Sequence, residues 1–263
     1  MSNLGLTILG FSIIFISTTL GSALVFFFKK EVSGKINTLF LGFAAGIMIA
    51  ASIWSLLVPS IEEGTNTYGS YGFIPAVIGF ILGGLFLVII DKIVPHFHKA
   101  TNEEEGLKNH LKKPLKMFLA VTIHNIPEGL SVGFAFGAAS IAGDHASFIS
   151  ALTLALGIAI QNFPEGAAVS LPLVRETQSK FKSFMYGTLS GVVEPIFAIV
   201  GYFLASSISI AQPWFLAFAA GAMIFVVVED LIPETHLSEH PHLGTWGLMI
   251  GFALMMMLDV TLG

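Results

Sequence analysis

The chain has 263 residues, of which 54% are hydrophobic and 11% are charged, and its mean hydropathy is +0.84. Soluble domains carry about 25% charged residues, so this composition excludes an ordinary soluble enzyme. Twelve Lys and Arg residues against 17 Asp and Glu argue against nucleic-acid binding through a basic surface. The absence of cysteine excludes disulfides and thiolate metal sites. The lipid bilayer is therefore the expected solvent of this protein.

Apolar runs of about 20 residues, the length of a membrane-spanning helix, occur eight times along the chain. We therefore predict an all-α polytopic membrane protein that forms a single transmembrane domain over residues 1–263. The first run is too long for a signal peptide and lacks a basic start. The connection at about 95–116 is rich in charge and is predicted to be a solvated, flexible loop. The predicted segments 1 to 8 cover about 4–28, 36–59, 71–91, 117–138, 148–174, 184–206, 214–233 and 243–262.

The basic residues predict the orientation in the membrane. All twelve fall in the connections between segments 1 and 2, 3 and 4, and 5 and 6. Basic residues accumulate on the cytosolic side of membrane proteins, so these connections are predicted to be cytosolic. Both termini then lie outside the cytosol, and the expected location is the plasma membrane, which is the inner membrane in a bacterium.

Two pairs of repeated motifs predict an internal symmetry. The motif at 124–129, HNIPEG, in segment 4 recurs as QNFPEG at 161–166 in segment 5. A second pair, FAAGIMI at 43–49 and FAAGAMI at 218–224, joins segments 2 and 7. The helices of each pair run in opposite directions, which predicts an inverted repeat of segments 1–3 and 6–8 around central segments 4 and 5. The small residues of FAAG also fit a role in close helix packing alone.

Three carboxylates provide the main argument about function. Glu128, Glu165 and Glu194 fall near the middle of predicted segments that contain no Lys or Arg. An ionised side chain at the membrane centre costs about 2.5–3.5 kcal/mol on insertion scales. These carboxylates are therefore either protonated or compensated by a bound cation. Glu194, which precedes Pro195, also fits a protonated structural carboxyl group.

Helical spacing places further ligands beside two of these carboxylates. His124 and Asn125 share a helix face with Glu128, and Gln161 and Asn162 share one with Glu165. Imidazole, carboxylate and amide oxygen suit Zn²⁺, Mn²⁺, Fe²⁺ or Co²⁺, and the lack of thiols argues against Cu(I). Pro127 and Pro164 are expected to kink the two helices and free carbonyl oxygens there. A single His or Asn in a membrane helix can also serve only as a hydrogen bond between helices.

Other candidate residues lie near the ends of the segments. Asp144 and His145 fit either a metal-capture site or an ordinary surface. Met48 fits a core residue or a weak ligand. Towards the predicted cytosolic face lie three carboxylates, and histidines in the same region could accept a metal leaving the protein. They are Asp91, Glu229 and Asp230, and His96, His98, His110, His236, His240 and His242.

These motifs resemble those of the ZIP (Zrt/Irt-like) metal-transporter family, especially its bacterial members similar to GufA and ZupT. The resemblance covers essentially the whole chain and implies uptake of divalent transition metal, chiefly zinc, into the cytosol through a binuclear site. It also implies a homodimer, a lining position for Met48, and an exit route past Asp91 and Asp230. Many family members have His where Gln161 stands, and some have Asp at the position of Asn162. The ligand roles that it assigns fall to His124, Asn125, Glu128, Gln161, Asn162, Glu165 and Glu194.

We therefore predict a transporter with no catalytic residues, whose cargo is Zn²⁺, with Fe²⁺, Mn²⁺, Co²⁺ and Cd²⁺ as further candidates. One alternative is a proton-coupled carrier of another cation that uses the three glutamates as proton sites. A less favoured alternative is an intramembrane metalloenzyme, because the zinc-protease signature HExxH does not occur in the sequence.

Overall fold

Long helices make up almost all of the structure. The computed structural model describes residues 1–27, 34–98, 103–107, 110–111, 113–236 and 241–262. Within these ranges, seven segments are long and apolar enough to cross a membrane, and segment 4, a helix of 30 residues, is also long enough. The predicted all-α polytopic architecture is therefore confirmed. The segments are 1 (Asn3–Phe26), 2 (Gly34–Tyr71), 3 (Phe73–Ile93), 4 (Lys113–Ala142), 5 (His145–Thr177), 6 (Lys180–Ser207), 7 (Ser209–Thr235) and 8 (His242–Leu262).

Several segments are built from more than one helical piece. Segment 1 ends in a 3₁₀ turn, Ala23–Phe26, and segment 6 consists of two α-helices, Lys180–Gly191 and Val193–Ser207. Segment 2 contains α-helices Gly34–Ala51 and Val58–Tyr68, with a π-helix, Ser52–Leu57, between them and a 3₁₀ turn, Gly69–Tyr71, at its end. Segment 7 contains a 3₁₀ turn, Ser209–Ala211, an α-helix, Gln212–Val226, a π-helix, Val227–Leu231, and a last helical turn, Ile232–His236. The helix of segment 8 begins at Pro241.

Both π-helices end two residues before a proline. Leu57 precedes Pro59 at this distance, and Leu231 precedes Pro233. A proline cannot donate a backbone hydrogen bond to the preceding turn, and a wider π turn accommodates that loss. The two π-helices follow the two FAAG motifs at nearly the same distance, so segments 2 and 7 share this feature as well as sequence.

Segment 2 is longer than its hydropathy indicates. Its apolar run is predicted to end near residue 59, whereas the helical segment continues to Tyr71. The extension is polar, so hydropathy could not identify it. Contacts with segment 7 hold it in place, because Ser60 donates a 2.6 Å hydrogen bond to the carbonyl of Pro213 and Tyr68 donates one of 2.8 Å to the carbonyl of Ile210.

The segments pack in pairs that obey the predicted inverted repeat. Segment 1 packs along segment 5, segment 4 along segment 6, segment 2 along segment 8, and segment 3 along segment 7. Exchanging segments 1–3 with 6–8, and 4 with 5, converts the 1/5 pair into 6/4 and the 2/8 pair into 7/3. Segments 1, 4, 5 and 6 thus form one bundle and segments 2, 3, 7 and 8 another. The bundles meet where segment 5 contacts segments 2 and 8 and where segment 4 contacts segment 7.

The FAAG glycines serve close packing in symmetry-related places. A Cβ on Gly46 would collide with the carbonyl oxygen of Leu248 in segment 8. A Cβ on Gly221 would collide with the carbonyl oxygen of Phe80 in segment 3. Both glycines therefore allow two helix backbones to touch within one bundle, which favours the packing explanation of this motif.

The connection between segments 3 and 4 contains two short strands that the sequence did not predict. Strand β1 (His96–His98) pairs antiparallel with β2 (Glu103–Glu105), and His96 and His98 lie opposite Glu105 and Glu103. Strand β1 packs near segment 4. Residues 99–102, 108–109 and 112 of this connection lie outside the described residues.

Candidate metal site

Two carboxylates are buried between segments 4, 5 and 6. The side chains of Glu128 and Glu194 are 1% and 0% exposed. Segments 4 and 5 continue as helices through Pro127 and Pro164. The two helices pack against each other, and each carries one copy of the repeated motif. Burial of this kind requires a hydrogen-bonding or cationic partner for each carboxylate.

Amide groups from both motifs converge on Glu194. Asn162 Nδ2 donates a hydrogen bond of 2.8 Å to Oε2 of Glu194. Asn125 Nδ2 donates one of 3.2 Å to Oε1 and one of 3.1 Å to the backbone carbonyl of Ser190. The three segments that carry the predicted ligands therefore meet at this carboxylate.

Gln161 links the two motif helices at a second point. Its Nε2 donates hydrogen bonds of 2.6 Å to Glu128 Oε1 and 2.7 Å to Asn162 Oδ1. Glu165 is partly buried and lies within electrostatic range of both Glu128 and Glu194. The polar residues predicted from segments 4, 5 and 6 thus form one connected cluster, except that His124 faces its edge.

Three oxygen atoms of this cluster have no hydrogen-bond partner among the residues that the structure describes. They are Oδ1 of Asn125, Oε2 of Glu128 and Oε1 of Gln161, and all are buried. The two amide oxygens can only accept a hydrogen bond or coordinate a cation. The same holds for the Glu128 oxygen when this carboxylate is ionised. Buried oxygens without partners are costly, and a bound metal ion would satisfy them. The donor chemistry therefore fits a divalent cation bound by carboxylate and amide oxygens.

Acidic residues and histidines alone do not form the site. Within the described residues, no three His, Asp or Glu side chains come together closely enough to hold a metal ion. The amides of Asn125, Gln161 and Asn162 fill the positions between the carboxylates. The participation of these amides as metal ligands stays a prediction.

His124 lies between the buried cluster and a second acidic group. Its Nε2 is 3.0 Å from Oδ2 of Asp230 in segment 7. Glu165 and Asp91 are also within electrostatic range of His124. The family resemblance implied an exit route past Asp91 and Asp230. In the structure Asp230 contacts the imidazole of His124, and Asp91 lies within electrostatic range of it.

The remaining predicted residues lie elsewhere. Met48 is buried in the apolar core, and Glu229 is exposed beside Asp230. Asp144 caps segment 5 through bonds from the Ser147 amide and hydroxyl, at 2.9 and 2.7 Å. Nδ1 of His145 lies 2.9 Å from Asn3 Oδ1. His110 and His242 are exposed, whereas His240 lies outside the described residues.

Sequence reasoning missed a polar group near the opposite ends of the segments. Asp259 in segment 8 accepts a 2.7 Å hydrogen bond from Ser55, within the π-helix of segment 2, and its Oδ2 has no partner. Ser55 also lines a cavity of about 280 Å³, together with Glu63, Ser147 and Gln212. Asp259 also lies in an apolar run, but near the end of segment 8 and not near its middle, so the argument that identified the three glutamates applies to it less strongly.

Comparison with known proteins identifies the family. The profile of the ZIP zinc transporter family matches residues 4–116 and 115–259. The chain belongs to the ZIP family. The zinc transporter ZIP11 of Xenopus tropicalis is 38% identical, with 94% of each chain covered. The zinc transporter ZIPB of Bordetella bronchiseptica is 36% identical, with 99% of this chain and 82% of that protein covered, and the zinc transporter GufA of Myxococcus xanthus is 34% identical, with 94% and 95% covered.

Membership in the ZIP family confirms two predictions made from the motifs. The resemblance to bacterial members is correct, since ZIPB, GufA and ZupT proteins all match most of the chain. These relatives are named as transporters, so the chain belongs to a family of multi-pass membrane transporters and not to the intramembrane metalloenzymes.

Proposed function

We propose that this protein carries divalent transition metal, chiefly Zn²⁺, across the membrane into the cytosol through the cluster on segments 4, 5 and 6. The observation that carries the proposal is the buried pair Glu128 and Glu194, surrounded by amide groups and by oxygens without partners. The family membership and the names of the relatives support zinc as the cargo.

Charge compensation gives the cluster its affinity for a cation. Two ionised carboxylates at the membrane centre cost on the order of 5–7 kcal/mol on insertion scales. An ion with two positive charges offsets this cost while it coordinates the oxygens that have no partner. A potassium or sodium ion would compensate less charge, and the carboxylate and amide set with a nearby imidazole suits zinc.

A second ion can be held by the same group of residues. Glu165 lies within electrostatic range of Glu128, Glu194 and His124. We propose that one ion is bound on the side of His124 and Glu128, and another on the side of Asn162 and Glu194, with carboxylates shared between them. Fe²⁺, Mn²⁺, Co²⁺ and Cd²⁺ accept the same ligand types and are further candidate cargoes.

The route begins at the cavity beside Ser55 and Glu63 and passes Asp259. It continues through the buried cluster to His124, Asp230 and Asp91. The basic residues of the predicted connections support a cytosolic location for the second end of this route, because basic residues favour that side. Both termini then lie outside the cytosol. The membrane is proposed to be the plasma membrane, which is the inner membrane in a bacterium.

Relative motion of the two bundles would expose the cluster to each side in turn. All residues of the buried cluster belong to the bundle of segments 1, 4, 5 and 6, whereas Asp230, Asp91 and Asp259 belong to the other. The close backbone contacts at Gly46 and Gly221 lie within one bundle, so such a motion leaves them intact. The homodimer implied by the family resemblance stays a prediction.

Zinc flux into proteoliposomes tests this proposal. Purified protein is reconstituted, and ⁶⁵Zn²⁺ uptake is compared for wild type, Glu128→Gln, Glu194→Gln and the control Glu176→Gln, which changes an exposed carboxylate at the end of segment 5. We expect uptake by wild type and the control, and at least a tenfold loss in the two buried variants. Absence of metal flux in wild type, combined with a proton flux driven by another cation, would instead identify the proton-coupled carrier.

A further inference from the structure

Segment 1 reaches the candidate site although it contributes no charged residue. The Thr18 side chain is buried, and its Oγ1 donates a hydrogen bond of 2.7 Å to Oε1 of Glu194. We propose that Thr18 is a positioning residue that holds Glu194 in the orientation required for metal binding. This inference rests on the proposed function, since it assigns a second layer of contacts to the same site.

Two acceptors lie within hydrogen-bonding distance of the Thr18 hydroxyl. The carbonyl oxygen of Ile14 lies 3.2 Å from Oγ1, which is the usual contact of a threonine within its own helix. The carboxylate oxygen is closer, at 2.7 Å, and a bond to an ionised acceptor is the stronger of the two. The geometry therefore favours donation to Glu194.

Thr18 differs from the other donors to Glu194 in one respect. Asn125 and Asn162 donate through amide nitrogens, and their amide oxygens are candidate metal ligands. An ion that binds those oxygens can rotate the amide groups and so weaken their hydrogen bonds to Glu194. The Thr18 hydroxyl can keep its bond to Oε1 in both the empty and the loaded site. Outer contacts of this kind fix the orientation of a metal ligand, and their loss typically reduces affinity.

Close packing fixes the position of Thr18 itself. A Cβ on Gly166, the last residue of the segment 5 motif, would collide with the carbonyl oxygen of Thr18. A Cβ on Gly191, one turn before Glu194, would lie 2.9 Å from Thr18 Cγ2 and 3.2 Å from Glu194 Oε1. Two glycines thus bring segment 1 against segments 5 and 6, two of the three segments with predicted ligands, at the level of the carboxylate. The hydroxyl has little freedom to move away.

The test compares zinc binding and zinc uptake in three variants. Thr18→Val keeps the branched shape and removes the hydroxyl, whereas Thr18→Ser keeps the hydroxyl. Thr153→Val is the matched control, because Thr153 is also buried and, within the described part of the chain, its hydroxyl bonds only to the Ile149 carbonyl of its own helix. We expect Thr18→Val to raise the zinc Kd and the KM for uptake by about tenfold, the lower end for outer-contact losses. We expect Thr18→Ser and Thr153→Val to stay within about twofold of wild type.

Each outcome has a defined meaning. Equal zinc Kd values for Thr18→Val and wild type would overturn the inference, as would Thr18→Ser being as impaired as Thr18→Val. Melting temperature monitors folding, and Thr18→Ala replaces Thr18→Val in the same comparison if the valine variant does not fold. Failure of the wild-type protein to bind or transport zinc would overturn the proposed function. If the wild type binds and transports zinc and Thr18→Val does so equally well, only the inference about Thr18 is wrong and the proposed function stands.

Discussion

Gln161 on segment 5 donates a hydrogen bond of 2.6 Å to Glu128 on segment 4 and so joins the two halves of the repeated motif. The amide nitrogen carries partial positive charge and contacts Oε1 of Glu128, which leaves Oε2 available to a cation. The amide oxygen of Gln161 is buried without a hydrogen-bond partner. This side chain therefore stabilises the Glu128 carboxylate through its amide nitrogen and presents its amide oxygen to the proposed metal site.

Replacement of Gln161 by histidine should strengthen zinc binding. A neutral imidazole nitrogen is a better zinc ligand than an amide oxygen and keeps a ring N–H for hydrogen bonding. We expect the zinc Kd of Gln161→His to fall by about tenfold, which corresponds to about 1.4 kcal/mol. Competition with a fluorescent zinc chelator measures this, with Gln161→Ala as the variant that loses both functions. A Kd unchanged or raised in Gln161→His would show that Gln161 lies outside the coordination sphere.

Acidic pH should reduce zinc uptake. His124 must be neutral to coordinate a metal, and protonation would leave it only as an ion-pair partner of Asp230, 3.0 Å away. The rate of ⁶⁵Zn²⁺ uptake at constant free zinc should therefore decline as the pH is lowered from 7.5 to 5. In His124→Gln this decline should become shallower, although uptake is slower throughout. A rate that rises on acidification would contradict simple protonation of the ligand.

Removal of the Asp230 carboxylate should slow metal release more than it weakens metal binding. Asp230 contacts His124 but does not belong to the buried cluster around Glu194. In Asp230→Asn we expect Vmax of zinc uptake to fall several-fold, with KM changed by less than about twofold. Glu229→Gln, which alters the exposed neighbour, is the control and should behave as wild type. Equal effects in the two variants would reduce the role of Asp230 to general surface charge.

Most of the candidate cluster could be predicted because its polar and charged residues interrupt otherwise apolar runs. Glu128, Glu165 and Glu194 are carboxylates in apolar runs, and helical spacing fixes which neighbours share their face. Asp259 is also a carboxylate in an apolar run, although near the end of segment 8, whereas the sequence contains no such signal for Thr18. A threonine is common in membrane helices, and only the packing of segment 1 against Gly166 and Gly191 reveals its contact.

The fold was predictable to the same extent. Hydropathy located the apolar runs, and the repeated motifs indicated the inverted repeat that the packing of segments 1 with 5 and 4 with 6 obeys. The polar extension of segment 2 to Tyr71 escaped prediction because contacts with segment 7, and not its own apolarity, stabilise it. The strand pair His96–His98 and Glu103–Glu105 was not predicted because both strands are short and lie in a polar connection.

Side chains at the FAAG glycines should destabilise the protein without altering the proposed metal ligands. Gly46→Ala and Gly221→Ala would each place a Cβ against a backbone carbonyl, of Leu248 and of Phe80. Overpacking of this kind costs about 1–3 kcal/mol, so both variants should melt at lower temperature. Gly84→Ala is the matched control, because the nearest atom to its Cβ is Phe225 Cδ2 at 3.8 Å. A melting temperature of Gly84→Ala as low as that of Gly46→Ala would contradict the packing explanation.

Asp144 should contribute to stability and not to metal capture. The Ser147 hydroxyl and amide donate to its carboxylate, and these bonds lower the pKa of Asp144 below its ordinary value of 3.8. Since the folded-state pKa is the lower one, the stabilisation is present above that ordinary value and disappears as the pH falls through the folded-state pKa. At neutral pH we expect Asp144→Ala to lower the melting temperature and Asp144→Asn, which can still cap the helix, to lower it less. Zinc uptake by both variants should keep the wild-type KM, whereas a capture ligand at this position would make KM rise in both.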